Sequence, residues 1–128
     1  MKKLILLLLA VMMLTACGQD KENEQGAVYV NITAEEAKQI MGTEEGYIIL
    51  DVREQDEYDA GHIPEAILIP YTQIGEKANE TLPDKDQLIF VYCRSGRRSK
   101  IAAEALAELG YTNIKEFGGI IDWPYEVE

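Results

Sequence analysis

Seven consecutive residues carry the densest chemistry in this chain: Cys93, Arg94, Ser95, Gly96, Arg97, Arg98 and Ser99. They place a thiol on a short glycine-containing loop with three arginines. An apolar run, Leu88 to Tyr92, precedes the loop, and an alanine-rich helical pattern, Ser99 to Leu109, follows it. A strand-to-helix turn of this kind aims several backbone N–H groups at one point, and the helix adds its positive end. A cysteine there is biased toward thiolate, the form that attacks and carries sulfur. The segment is a candidate nucleophile site and a candidate anion site at once.

Other chemistry-bearing residues weigh less. His62 is the only histidine and invites a thiol–imidazole reading, but it lies in a turn where an imidazole serves backbone groups. One histidine and one free thiol do not make a metal site. Asp56, Glu57 and Asp59 read as the solvated face of a short helix and lack the spacing of a calcium loop. Asp51 differs because it ends an apolar run near the loop. It is expected to hold an arginine, with Arg98 as the candidate. Trp123 and Tyr125 read as packing residues at a sheet edge.

The elements that position these residues alternate in type. Thr33 with Glu36 forms a capping box opening a helix to about Met41, stopped by Gly42. Tyr47 to Leu50 is a buried-type strand ending at Asp51 and Val52. Glu54 to Ala60 is a short acidic helix, and Ala66 to Ile69 a brief strand stopped by Pro70. Tyr71 to Thr81 holds a helix weakened by Gly75. Leu88 to Tyr92 is the central strand. Ser99 to Leu109 is the clearest helix, with Ile101, Ala102, Ala105, Leu106 and Leu109 on one face and Gly110 as its cap. Asn113 to Phe117 is the last strand. Strands alternating with helices predict an α/β fold with a parallel sheet and helices on both faces. Ligands of such sheets gather at the strands' carboxyl ends, where Asp51 and Cys93 both fall.

The first residues read as an address. Met1, Lys2 and Lys3 form a charged start, and Leu4 to Leu14 is an apolar run of signal length. It ends in Leu14-Thr15-Ala16-Cys17, which resembles a bacterial lipobox. That resemblance implies cleavage after Ala16, diacylglyceryl and acyl chains on Cys17, and an extracytoplasmic, lipid-anchored protein. The expected layout is a signal at 1–16, a lipidated tether at 17–27 and one domain at 28–128. Removing Lys2 and Lys3 without any acid takes the formal charge from −11 to −13. A field of that sign excludes nucleic acid and anionic membrane surfaces as general partners. Against it, four basic residues (Arg94, Arg97, Arg98 and Lys100) crowd into seven positions, which favours a local anion pocket. With Cys17 lipidated, Cys93 has no disulfide partner despite an oxidising compartment.

Three blocks resemble the rhodanese (sulfurtransferase) family. They are Asp51-Val52-Arg53-Glu54 with Glu57-Tyr58 and Gly61-His62-Ile63-Pro64-Glu65-Ala66; the loop Cys93 to Ser99; and Phe117-Gly118-Gly119 with Trp123. The resemblance implies a single rhodanese-like domain with a five-stranded, mainly parallel sheet. It implies that Cys93 cycles through a persulfide while backbone N–H groups from Arg94 to Ser99 cradle the persulfide or the incoming anion. Arg94 and Arg97 are then the substrate contacts and Arg98 braces the loop through a bidentate pair. Glu65 departs from the pattern, standing where the family often has glycine. Arg97 occupies a variable position.

The expected reaction moves sulfane sulfur from thiosulfate or a persulfide donor to a thiol, cyanide or protein-cysteine acceptor, and needs neither cofactor nor metal. Two other readings stand beside it. One is a membrane-tethered persulfide carrier or binding module without turnover. The other is a cysteine phosphatase or arsenate reductase. A tyrosine phosphatase places an arginine six positions after its cysteine, where this chain has Ser99, and a histidine before it, where this chain has Tyr92.

Overall fold

The computed structural model describes residues 28–128; the expected signal and Cys17 tether lie outside the described residues. Thr33 accepts the Glu36 N–H while the Glu36 carboxylate accepts the Thr33 N–H, so the capping box starts helix α1, Ala34–Met41. A two-residue strand, β1 (Val30–Asn31), precedes it. Three further strands run from apolar or β-branched segments: β2 (Ile48–Asp51), β3 (Ile67–Leu68) and β4 (Ile89–Cys93). Between them lie α2 (Gln55–Ala60) and α3 (Ile74–Thr81), the latter entered through a 3-10 turn at Tyr71–Gln73. Helix α4 (Arg97–Glu108) and strand β5 (Ile114–Gly119) complete the order.

The strands form one five-stranded sheet in the order β1-β5-β4-β2-β3, and every pairing is parallel. Strand β4 sits at its centre and is buried throughout. Alternate side chains of a strand face opposite ways. Ile89, Val91 and Cys93 therefore join Leu50, Ala102, Ala103 and Leu106 on the α3–α4 face. Phe90 and Tyr92 join Ala37, Ile49, Phe117 and Trp123 on the α1 face. Helices cover both faces, as the alternating pattern predicts.

One boundary and one buried face move. Helix α4 starts at Arg97, not Ser99, because Gly96 takes φ +113° and turns the chain from strand to helix in few residues. Arg97, Arg98 and Ser99 are thus its first turn. Its buried face also shifts: Ala102, Ala103 and Leu106 are inside, while Ile101 is 43% exposed. Alanine at 102 and 103 lets the helix lie close to the sheet.

Candidate active site

Cys93 is the last residue of β4, and its side chain is only 1% exposed. Its surroundings are polar on the loop side. The Gly96 N–H donates to Cys93 Sγ at 3.0 Å, and Ser99 Oγ lies 3.5 Å from the sulfur. No side chain caps the start of α4, so its first N–H groups are free to serve the sulfur. Burial pushes the Cys93 thiol up; the Ser99 hydroxyl and the backbone N–H groups of Gly96, Ser99 and Ser95 outweigh it and leave the thiol below its ordinary value.

The loop is held from behind by β5. Cys93 pairs with Gly119 across an irregularity in the β4–β5 ladder. The Ile121 N–H donates to the Arg94 carbonyl at 3.2 Å. Any Cβ at Gly119 would lie 1.9 Å from that carbonyl oxygen, so only glycine lets the strand back the loop this closely.

The arginines divide by burial. Arg94 and Arg97 are exposed, and neither enters an ion pair among the described residues. The Arg97 guanidinium lies 5.9 Å from the centre of the Tyr71 ring. Arg98 is half-buried and makes a bidentate pair with Glu57, at 2.8 and 2.9 Å. The pair holds the Glu57 carboxyl down to about 2. It raises Arg98, as does, to a smaller degree, the nearby Cys93 sulfur.

Two expectations are corrected here. Asp51 does not hold Arg98. It binds its near neighbour Arg53 at 2.7 Å and accepts the Tyr92 hydroxyl at 2.6 Å. Arg53 sits two residues on, close enough to fold back onto the same carboxylate, and Arg98 lies on a helix that meets α2 instead. Asp51 thus supports the loop only indirectly, by fixing Tyr92 beside Cys93. Glu57 is not part of a solvated face: one helical position turns it toward α4, while Asp56 and Asp59 remain exposed. His62 serves structural contacts, as expected, but lies in the irregular segment just before the turn at Pro64 and Glu65. Its Nδ1 lies 3.0 Å from the Tyr58 carbonyl, its ring stacks on Tyr58 at 3.9 Å, and its Nε2 is 3.7 Å from Glu128. Trp123 packs on Phe117 and Tyr125, with ring centres 5.5 and 4.9 Å away.

One residue escaped the sequence reading. Glu116 on β5 is fully buried. Its carboxylate accepts Asn31 Nδ2 at 2.6 Å, the Gly118 N–H at 3.0 Å and the Ser99 hydroxyl at 2.5 Å. A signal was present: Glu116 stands two positions from Ile114, on the buried phase of a strand.

Known proteins match this arrangement. The model of the rhodanese-like domain matches residues 33–124. Thiosulfate sulfurtransferase PspE of Escherichia coli is 40% identical over 73 residues, covering 57% of this chain and 70% of that protein. YrkF of Bacillus subtilis, named as a candidate sulfur carrier, is 36% identical over 112 residues, covering 87% of this chain. The chain spans 60% of YrkF's length. The crystal structure of a rhodanese-related protein from Thermoplasma volcanium superposes with a TM-score of 0.67 at 33% identity, covering 78% of this chain and 98% of that one.

Proposed function

The chain belongs to the rhodanese-like family of sulfurtransferases, and we propose that it moves sulfane sulfur from thiosulfate or a persulfide donor to a thiol or protein-cysteine acceptor through Cys93. The observation that carries this is the sulfur at the end of β4 held by the Gly96 N–H at 3.0 Å. A thiolate stabilised by fixed dipoles is ready to attack. The Cys93 thiolate forms a bond to the outer sulfur of thiosulfate. The S–S bond of thiosulfate breaks, and sulfite leaves with the electron pair. The Cys93 persulfide then gives its terminal sulfur to an acceptor thiolate, and Cys93 returns as thiolate. The same backbone N–H groups hold the negative charge at each stage. Arg94 and Arg97, exposed and outside any ion pair among the described residues, are suited to draw in the anion.

Sulfite release from thiosulfate by the full chain, compared with Cys93→Ser, tests the reading. Turnover by the wild type and none by the variant is expected, and equal rates would remove Cys93 from the reaction. A carrier without turnover is the second reading, favoured by the likeness to YrkF. It gives a persulfide on Cys93 by intact mass but no multiple turnover with small thiols. We also place the protein on a membrane through lipid on Cys17, from the Leu14-Thr15-Ala16-Cys17 spacing. Labelled palmitate should enter the wild type and not Cys17→Ser.

A further inference from the structure

Glu116 is a fully buried carboxylate that joins no ion pair among the described residues. It faces the sulfur through one intermediary. Ser99 Oγ stands 3.5 Å from Cys93 Sγ on one side and donates to Glu116 Oε2 on the other. The Asn31 amide and the Gly118 N–H fix the carboxylate. A hydroxyl carries one proton and accepts through its lone pairs. The three groups therefore form a directed chain, from Cys93 S–H to Ser99 O–H to the Glu116 carboxylate.

We infer that Glu116 is a positioning residue that takes the Cys93 proton through the Ser99 hydroxyl, so that the thiolate forms without a proton leaving the protein. The thiol proton passes to Ser99 Oγ as the Ser99 proton passes to Glu116 Oε2. Afterwards the Glu116 carboxyl donates to Ser99, and Ser99 donates to the Cys93 thiolate. The two hydrogen bonds of the chain survive with their direction reversed, while the Gly96, Gly118 and Asn31 N–H groups go on donating. One negative charge is present before and after, so a buried charge is moved rather than added, which spares the desolvation cost of creating one. The proposal rests on Cys93 being the sulfur-carrying thiolate.

Two neighbouring groups are held more firmly in their protonated forms. Arg98 on α4 and Tyr29 ahead of β1 feel Cys93 and Glu116 respectively, and both are shifted upward. Lys100 Nζ lies on the Gly96 side of the loop.

Two sites that share protons titrate in two macroscopic steps. The experiment follows the ultraviolet thiolate band of the full chain, less that of its Cys93→Ser variant, from about pH 4 to about pH 10. In the wild type the Cys93 signal should rise in two steps. The lower marks loss of the first proton, with the second shared between sulfur and carboxyl. In Glu116→Gln the lower step should vanish. Glutamine keeps the shape, and the Asn31 amide can turn to meet it, but it takes no proton. A single step in the wild type, or two steps in Glu116→Gln, overturns the relay; a brace that merely ties β5 to α4 would leave the two profiles alike. Should Glu116→Gln lose its circular dichroism, Ser99→Ala and Ser99→Thr decide. The alanine must give one step and the threonine two, and any other pattern overturns the relay. Persulfide formation from thiosulfate, read by intact mass on the same wild-type sample, is separate. Its absence sinks the transfer reading, whereas its presence with a one-step titration sinks only the relay.

Discussion

Replacing Glu57 with glutamine isolates the charge that ties α2 to the first turn of α4. Glutamine keeps the volume and an acceptor oxygen. It also serves in the capping box, where the Glu57 carboxylate now accepts the Glu54 N–H at 3.1 Å. What disappears is the ion pair with Arg98. The Arg98 guanidinium draws the carboxyl from 4.5 to about 2, which sets a ceiling of roughly 3 kcal/mol at about 1.4 kcal/mol per unit. The two side chains are 18% and 26% exposed, so water screens part of that, and about 1–2 kcal/mol remains.

The sign follows from the direction of the shift. The folded carboxyl is more acidic than the unfolded one. Its contribution is therefore complete above 4.5 and is lost as pH falls toward about 2. Urea unfolding of wild type and Glu57→Gln at neutral pH should differ by about 1–2 kcal/mol, or several degrees in Tm at about 4–8 °C per kcal/mol. The gap should close across the acid limb. A gap that is absent at neutral pH, or as large in acid as at neutrality, refutes the assignment of Glu57 to Arg98.

Three further outcomes are expected. Gly119→Ala forces the Arg94 carbonyl, 1.9 Å from the new Cβ, and the Ser95 nitrogen, 2.5 Å away, to move; displacing the loop by about an ångström should cut sulfite release on the order of 100-fold while circular dichroism is retained. Glu65 sits exposed at φ +74°, so Glu65→Gly should relieve about 1–2 kcal/mol of left-handed strain against up to about 1 kcal/mol of added chain entropy, and calorimetry should show a higher Tm. Tyr92→Phe removes the hydroxyl that donates to Asp51 at 2.6 Å and accepts the Ile63 N–H at 3.1 Å; leaving these buried groups short of a partner should cost about 1–3 kcal/mol in urea unfolding.

What the sequence showed and what it hid follow different physics. The strands and helices were legible because their cues are local: a capping box at Thr33, apolar runs at Tyr47 and Leu88, Gly110 after the alanine helix. The thiol loop was legible because its residues are contiguous. The departure at Glu65 was legible too, and the positive φ there explains why glycine suits that position. The partners of Arg98 and Asp51 were not legible. Arg98 pairs with Glu57 between two helices, so its partner depends on how α2 and α4 are rotated; Asp51 pairs with Arg53 two residues on, a local contact that rests on how the chain folds back after β2. Glu116 was passed over for a related reason. A glutamate within a strand reads as an edge or solvent-facing residue until the strand's buried phase is known, and only the β1–β5–β4 order places it behind Ser99.

That order also explains why a loop with three arginines does not use them to ionise its cysteine. A guanidinium brought against a buried sulfur would have to shed its water, and desolvating an ion costs several kcal/mol. An amide costs far less to bury, and the turn from β4 into α4 supplies several already aimed at one point. The neutral donors around Cys93 therefore carry the stabilisation. The charges are left where solvent keeps them cheap to hold: Arg98 half-buried against Glu57, Arg94 and Arg97 exposed. Burial assigns the roles. Dipoles hold the Cys93 sulfur inside, one ion pair sets the helix that bears them, and the remaining cations stay in solvent at the loop.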